Sequence, residues 1–151
     1  MKFSATGILQ DTSVVAELKR AWQDSEPNVS GGHEEGGFIV ADEFGALSVV
    51  RWEKGAKSEI VLPTHENCFV DDKAIVASFH THPNTGADFQ QEPSLTDIRA
   101  VRDDPDLKGE FYLGEFVVTQ ENVYLIEPSG QVGVVGKTSY MFERQQPWQQ
   151  S

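Results

Sequence analysis

The chain of 151 residues is long enough to bury a core of ordinary size within one domain. Its 24 acidic and 12 basic side chains give a formal net charge of −12, which repels phosphate backbones and excludes nucleic acid as an expected partner. The sequence contains no apolar run of membrane-spanning length and no signal-peptide pattern at its start, so no membrane association is expected. A single cysteine, Cys68, excludes an intramolecular disulfide and agrees with a cytoplasmic location. We expect one domain over residues 1–142 and a disordered polar tail over residues 143–151.

The first half of the chain predicts one helix followed by strands. Apolar residues recur at helical spacing from Thr12 to Asp24, and a loop rich in Gly and Pro follows. Two strands, from Phe38 to Asp42 and from Ala46 to Trp52, flank a Glu-Phe-Gly turn and predict a hairpin. A further short strand is expected from Glu59 to Leu62, where Pro63 ends it.

The second half of the chain alternates between strands and one helix. The segment from Ala74 to His80 has apolar residues on both faces, which is typical of a buried central strand. A second helix is expected from Pro93 to Arg102. Three more strands are expected, over Glu110 to Thr119, Val123 to Glu127 and Val132 to Val135. The predicted fold class is therefore α+β, with a mixed β-sheet and two flanking helices.

The most informative segment joins a strand that ends in His80-Thr81-His82-Pro83 to a helix that begins Pro93-Ser94-Leu95-Thr96-Asp97. Side chains at positions i and i+2 of a strand point the same way, so His80 and His82 can present two imidazoles to one point. Asp97 falls in the first turn of the helix that Ser94 would cap, where the helix dipole favours negative charge. Two imidazoles, one carboxylate and an open position suit catalytic zinc. Each half of this pattern alone is also common in purely structural roles.

A hydrolytic site also needs a general base that takes a proton from the attacking water. Glu34, just before the first predicted strand, is the best candidate. Glu35 is the immediate competitor, and the sequence does not separate the two. Either glutamate, taken alone, could be a solvated loop residue.

Taken together, Glu34-x-x-Gly37, His80-x-His82-Pro83 and Ser94-x-x-Asp97 resemble the motif of the JAMM (MPN+) zinc metalloprotease family. The resemblance extends roughly over residues 32–119 and includes the order of the elements. It implies the MPN fold, which is similar to that of the cytidine deaminases, with the sheet between helical layers.

The resemblance also implies a role for each matching residue. His80, His82 and Asp97 would bind one zinc ion per chain, Glu34 would be the general base for a zinc-activated water, and Ser94 would stabilise the oxyanion. The implied reaction is hydrolysis of an amide bond, as a peptidase or isopeptidase acting on a peptide or on the C-terminus of a ubiquitin-like or sulfur-carrier protein. The alternatives are a non-catalytic scaffold or binding module of the same fold and a metallohydrolase with an unrelated target. The sequence does not indicate an oligomeric state.

The chain departs from the family pattern in the segment between His82 and Ser94, which is longer than usual. This loop contains Asp88 and Glu92, either of which could bind metal instead of Asp97. Asp97 is preferred because its place in the helix fixes its direction. The longer loop would lie beside the site, where it would select or gate the substrate.

Overall fold

The computed structural model describes residues 2–143. Four α-helices occur in this part of the chain, and they are α1 (Ala5–Ile8), α2 (Thr12–Asp24), α3 (Leu95–Arg102) and α4 (Thr138–Glu143), with a 3-10 turn at Pro105–Leu107. The seven strands of the same part are β1 (Gly36–Ala41), β2 (Leu47–Arg51), β3 (Phe69–Val70), β4 (Lys73–Thr81), β5 (Glu115–Val118), β6 (Asn122–Ile126) and β7 (Val132–Lys137).

The strands form one mixed sheet in the order β2-β1-β4-β5-β6-β7, with β3 paired to one end of β4. Only the β4–β5 pair among these strands is parallel. The longest strand, β4, lies between β1 and β5 and is buried along almost its whole length. Its last residues therefore sit at the centre of the sheet, where both neighbours fix their direction.

Apolar side chains cover the sheet in two separate clusters. One cluster joins α1, α2 and α4 to the sheet through residues such as Leu18, Ile39 and Phe79. The other joins α3 and the 3-10 turn to the sheet through residues such as Phe38 and Val101. Neighbouring residues of β1 contribute to different clusters because side chains alternate across a strand. Helices thus pack against both faces of the sheet.

The α+β class and the mixed sheet are confirmed, and the predicted helix from Thr12 to Asp24 has the bounds of α2. Asp11 caps this helix by accepting a hydrogen bond from the Val14 N–H at 3.1 Å. Two flanking helices were predicted, whereas α1 and α4 are additional short helices of the described chain. The short strand β3 is also additional.

The predicted strand from Glu59 to Leu62 is wrong. Ile60 and Leu62 pack against the second core cluster while Val61 is 82% exposed, which produces strand-like alternation without ladder pairing in the described chain. The strand predicted from Glu110 begins only at Glu115. Gly114, with φ of 127°, bends the chain just before this strand, at a point where any Cβ would meet the Ile126 carbonyl oxygen.

Residues 2–143 contain no helix that is both long and apolar enough to cross a membrane. Glu143, the first residue of the predicted tail, is the last residue of α4. The remainder of that tail, residues 144–151, lies outside the described residues.

Candidate metal centre

The two histidines of the predicted motif lie at the end of β4 and point to the same side of the sheet. His80 pairs with Gly36 of β1 and with Val117 of β5, so backbone ladders hold it on both sides. The intervening Thr81 points the opposite way and contacts the Ser25 hydroxyl at 2.6 Å beside α2. Both imidazoles are buried. Strand alternation thus brings the histidines together as the sequence predicts.

The imidazoles face each other through their Nε2 atoms, which lie 3.2 Å apart. The Nδ1 atom of His80 lies 2.6 Å from the Glu115 carboxylate, and that of His82 lies 2.7 Å from the Gln91 carbonyl oxygen. Because these oxygens accept hydrogen bonds, each Nδ1 carries the hydrogen. In a neutral imidazole, Nε2 then presents its lone pair to the shared point.

Asp97 brings its carboxylate against both imidazoles. One oxygen lies 3.2 Å from His82 Nε2 and the other lies 3.5 Å from His80 Nε2. The carboxylate is aimed by a capping box at the start of α3, in which the Ser94 N–H donates to Asp97 at 2.9 Å and the Asp97 N–H donates to Ser94 Oγ at 3.1 Å. The structure therefore places Asp97 where the sequence predicts it.

Glu34 approaches the same point from the loop before β1. Its carboxylate is almost fully buried and lies 4.0 Å from His82 Nε2. Single ligand atoms from Glu34, His80 and His82 all fall within 4.8 Å of one another. This buried group is positioned to bind a metal ion. Gly37, three residues on, permits the close packing of β1 against its neighbours, since a Cβ there would lie 2.9 Å from the Val50 carbonyl oxygen of β2.

Glu35 turns away from this group. Its carboxylate lies 2.6 Å from the Arg51 guanidinium and 2.5 Å from His33 Nε2. Its backbone is tied to Thr81, which donates its N–H to the Glu35 carbonyl at 2.9 Å and accepts the Glu35 N–H at 3.0 Å. Of the two glutamates that the sequence did not separate, only Glu34 faces the histidines.

The charges of the site perturb its protonation. Burial lowers the pKa of His80, but the carboxylates of Glu115 and Asp97 outweigh it and raise this pKa well above its usual range. Burial raises the pKa of Asp97, but hydrogen bonds from His80 and His82 lower it far more. For Glu34, burial dominates the two lowering histidines and raises the pKa to about 7.

The donor set fits a divalent cation. Two ring nitrogens that face each other at 3.2 Å need a proton or a metal cation between them, and two carboxylates lie beside them. Both Nδ1 atoms are already engaged, as is usual for histidines that bind a metal through Nε2. Imidazole and carboxylate together are ligands suited to zinc and similar transition metals.

A pocket with a volume of about 210 Å³ opens onto the site. Glu34, His82 and Asp97 lie on its wall together with Ser94. Because Ser94 Oγ accepts the Asp97 N–H, the hydroxyl hydrogen remains available to donate into the pocket. This small, partly polar pocket gives a ligand access to one side of the metal group.

The long loop after His82 borders this pocket through residues that include Asp88 and Phe89. The two alternative metal ligands on the loop, Asp88 and Glu92, are exposed and lie outside the buried metal group. Buried Asn84 ties the start of the loop to residue 32, accepting the Gly32 N–H at 2.7 Å and donating to the Gly32 carbonyl at 2.9 Å. The loop is thus anchored beside the site, and the acid whose carboxylate contacts both histidines is Asp97.

Sequence reasoning missed two contributors that hold the histidines. Glu115 is buried and accepts hydrogen bonds from His80 and from the Ser78 hydroxyl at 2.9 Å. Gln91 acts through its backbone carbonyl, which no side-chain pattern can reveal. A signal for Glu115 did exist, since a charged residue between apolar residues of a predicted strand needs a partner if the strand is buried.

Neither the protein-family models nor the curated proteins that were compared with this sequence match it. What the site does is therefore inferred from its own residues and geometry.

Proposed function

We propose that this chain is a zinc-dependent metallopeptidase or isopeptidase that hydrolyses an amide bond. The observation that carries the proposal is the pair of Nε2 atoms 3.2 Å apart, with both Nδ1 atoms engaged and Asp97 in contact with both rings. His80, His82 and Asp97 would hold the zinc ion. The JAMM (MPN+) fold and a cytoplasmic location belong to the same proposal, and the free thiol of Cys68 agrees with a reducing compartment.

Two carboxylates compete for the third ligand position. Asp97 lies 3.2 Å from His82 Nε2, whereas Glu34 lies 4.0 Å from the same atom. Asp97 is also fixed by its capping box and has a lowered pKa, which keeps it in the anionic form that a ligand requires. We therefore assign Asp97 to the metal and leave Glu34 free to handle protons.

Zinc in such a site lowers the pKa of a water molecule and polarises the carbonyl group that is attacked. Glu34 supplies the general base, taking a proton from the attacking water and passing it to the departing amine. Its carboxylate lines the pocket and is shielded from bulk solvent, which positions it for both transfers. The Ser94 hydroxyl donates a hydrogen bond to the oxygen on which negative charge develops.

The substrate in this proposal is a peptide, or the C-terminal segment of a ubiquitin-like or sulfur-carrier protein. The pocket is smaller than the roughly 300 to 1,000 Å³ that is usual for ligand sites, so a short extended segment fits better than a bulky group.

Paired substitutions of the two neighbouring glutamates test this proposal. Glu34→Gln should retain zinc and lose about 10²- to 10⁴-fold in kcat, because the base is removed while its shape is kept. Glu35→Gln is the matched control and should change kcat much less, since Glu35 faces Arg51. Turnover would be measured on a panel of peptide, ubiquitin-like and sulfur-carrier amides, with zinc content determined in parallel. Equal losses in both variants would contradict the assignment, and zinc binding without turnover on any amide would favour the binding module.

A further inference from the structure

The pocket has one cationic side chain among its lining residues, and it belongs to Lys57. The titratable groups that share the wall are His82 and the acids Glu34, Asp88 and Asp97. In a chain with a net charge of −12, a lysine in the wall of an acidic pocket is a local positive charge that can attract anions.

The backbone around Lys57 is tied to both sides of the pocket. The Glu34 N–H donates to the Ala56 carbonyl at 2.7 Å, and the Gly55 N–H donates to the Glu34 carbonyl at 2.8 Å. On the other side, the Asn84 amide donates to the Lys57 carbonyl at 3.1 Å. Lys57 is an exposed residue and forms no ion pair with any residue of the part of the chain that the structure describes. A fixed backbone thus holds Lys57, which has no ion-pair partner among the described residues, in the wall of the pocket.

Lys57 belongs to the segment of the pocket wall that is hydrogen-bonded to Glu34. Under the proposed function, Glu34 hands its proton to that amine, so the released part of the substrate must lie next to Glu34. The segment that carries Lys57 is hydrogen-bonded directly to the Glu34 backbone. Ser94, by contrast, reaches the pocket from the start of α3, where the carbonyl oxygen would be held.

We propose that Lys57 is a specificity-determining residue that binds the free α-carboxylate of the amino acid or short peptide released from the substrate. The proposal rests on the proposed function, because it assumes an amide whose amine departs on the Glu34 side. An ammonium and a carboxylate form a charge-assisted hydrogen bond, which is stronger than a neutral one. The preferred substrates are then chains that end shortly after the scissile amide with a free carboxylate. A pocket of about 210 Å³ leaves room for only a short end of this kind.

The test compares a short peptide, acetyl-Gly-Gly-Ala, with the same peptide as its C-terminal amide, using the zinc-loaded protein. The wild type should cleave the free acid with kcat/KM about tenfold higher than the amide, mostly through KM, since one exposed charge-assisted bond is lost in the amide. Lys57→Gln should abolish this preference and Lys57→Arg should keep it. Lys54→Gln is the matched control, because Lys54 is exposed on the same segment but lines a different hollow. An unchanged preference in Lys57→Gln would overturn the proposal.

A binding measurement separates failure of this inference from failure of the proposed function. Both peptides would be titrated calorimetrically into zinc-loaded Glu34→Gln, with and without the added Lys57→Gln change. Tighter binding of the acid that depends on Lys57 would support carboxylate recognition even if no amide is ever hydrolysed. Hydrolysis with equal rates for acid and amide would instead keep the peptidase and reject the role of Lys57. The role of Lys57 would also be rejected by any of three binding results: equal affinities for acid and amide, binding that Lys57→Gln leaves unchanged, or no measurable binding of either peptide.

Discussion

Two regions of the molecule hold histidine against a carboxylate, and they differ in what the ring nitrogens face. His65 Nδ1 lies 2.7 Å from the Pro63 carbonyl oxygen, and its Nε2 lies 2.7 Å from the Asp104 carboxylate. Both nitrogens therefore face oxygen acceptors, and neither faces a second imidazole. At His80 and His82 the Nδ1 atoms are engaged in the same way, but the two Nε2 atoms converge on each other at 3.2 Å, with the Asp97 carboxylate beside both. We therefore expect a structural role for His65, and we propose metal binding where the imidazoles of His80 and His82 converge.

Removing one histidine from each region tests whether only the His80 region binds zinc. His80→Ala should weaken zinc binding by more than about 100-fold, since losing a direct ligand exceeds the 10- to 100-fold typical of losing its supporting partner. His65→Ala, the matched control, should leave zinc affinity unchanged while costing some stability through the lost contacts with Asp104 and Phe38. Competition with a chromophoric chelator measures both affinities. Equal affinities in the two variants would contradict the contrast.

Zinc should also stabilise the fold, because the ligands come from distant parts of the chain and converge only when it is folded. At free zinc about 100 times its Kd, the free energy of unfolding should rise by about 2.7 kcal/mol. For a chain of this size, that corresponds to an increase in Tm of about 5 to 10 °C. This increase in Tm would be measured by thermal unfolding of the wild type and of His80→Ala, each with zinc and with chelator. A similar increase in His80→Ala would place the zinc elsewhere.

Loss of the Glu115 carboxylate, which supports His80, should have a smaller effect on zinc affinity. Glu115→Gln removes the charge that faces His80 Nδ1 but keeps an acceptor there, so zinc affinity should fall by about tenfold. Glu127→Gln, at an exposed position, removes the same charge far from any described contact with the site and should have no effect. The chelator competition used for His80 measures both variants. Unchanged affinity in Glu115→Gln would mean that Glu115 serves only the packing of the core.

Much of the site could be predicted because the directions of its side chains depend on local backbone geometry. Alternation along β4 points the side chains of His80 and His82 to the same side of the sheet, and the start of α3 fixes the direction of Asp97. Both rules act within a few residues of sequence. The fold class followed from the same periodicities. The prediction failed from Glu59 to Leu62, where apolar residues alternate because they cover the core rather than because a neighbouring strand pairs with them.

The remainder of the site depends on register between distant segments. Glu115 supports His80 because parallel β4 and β5 place Ser78 beside Glu115, a pairing that neither strand encodes alone. Glu34 and Glu35 are equivalent in sequence and are separated only by the hydrogen bonds that tie Glu35 to Thr81. The segment that carries Lys57 enters the pocket wall because its neighbours Gly55 and Ala56 are bonded to Glu34 and its own carbonyl accepts from Asn84. Glu34 and Asn84 each lie more than twenty residues from Lys57 along the chain. Such contacts become visible only once the chain is folded.

The most direct test of the central claim is the metal content of protein purified without added zinc. The account predicts about one zinc ion per chain in the wild type and almost none in the double variant His80→Ala/His82→Ala. Circular dichroism would confirm that the double variant keeps its secondary structure. A wild-type protein that holds no metal and gains none from added zinc would contradict the claim, as would a double variant that retains a full equivalent.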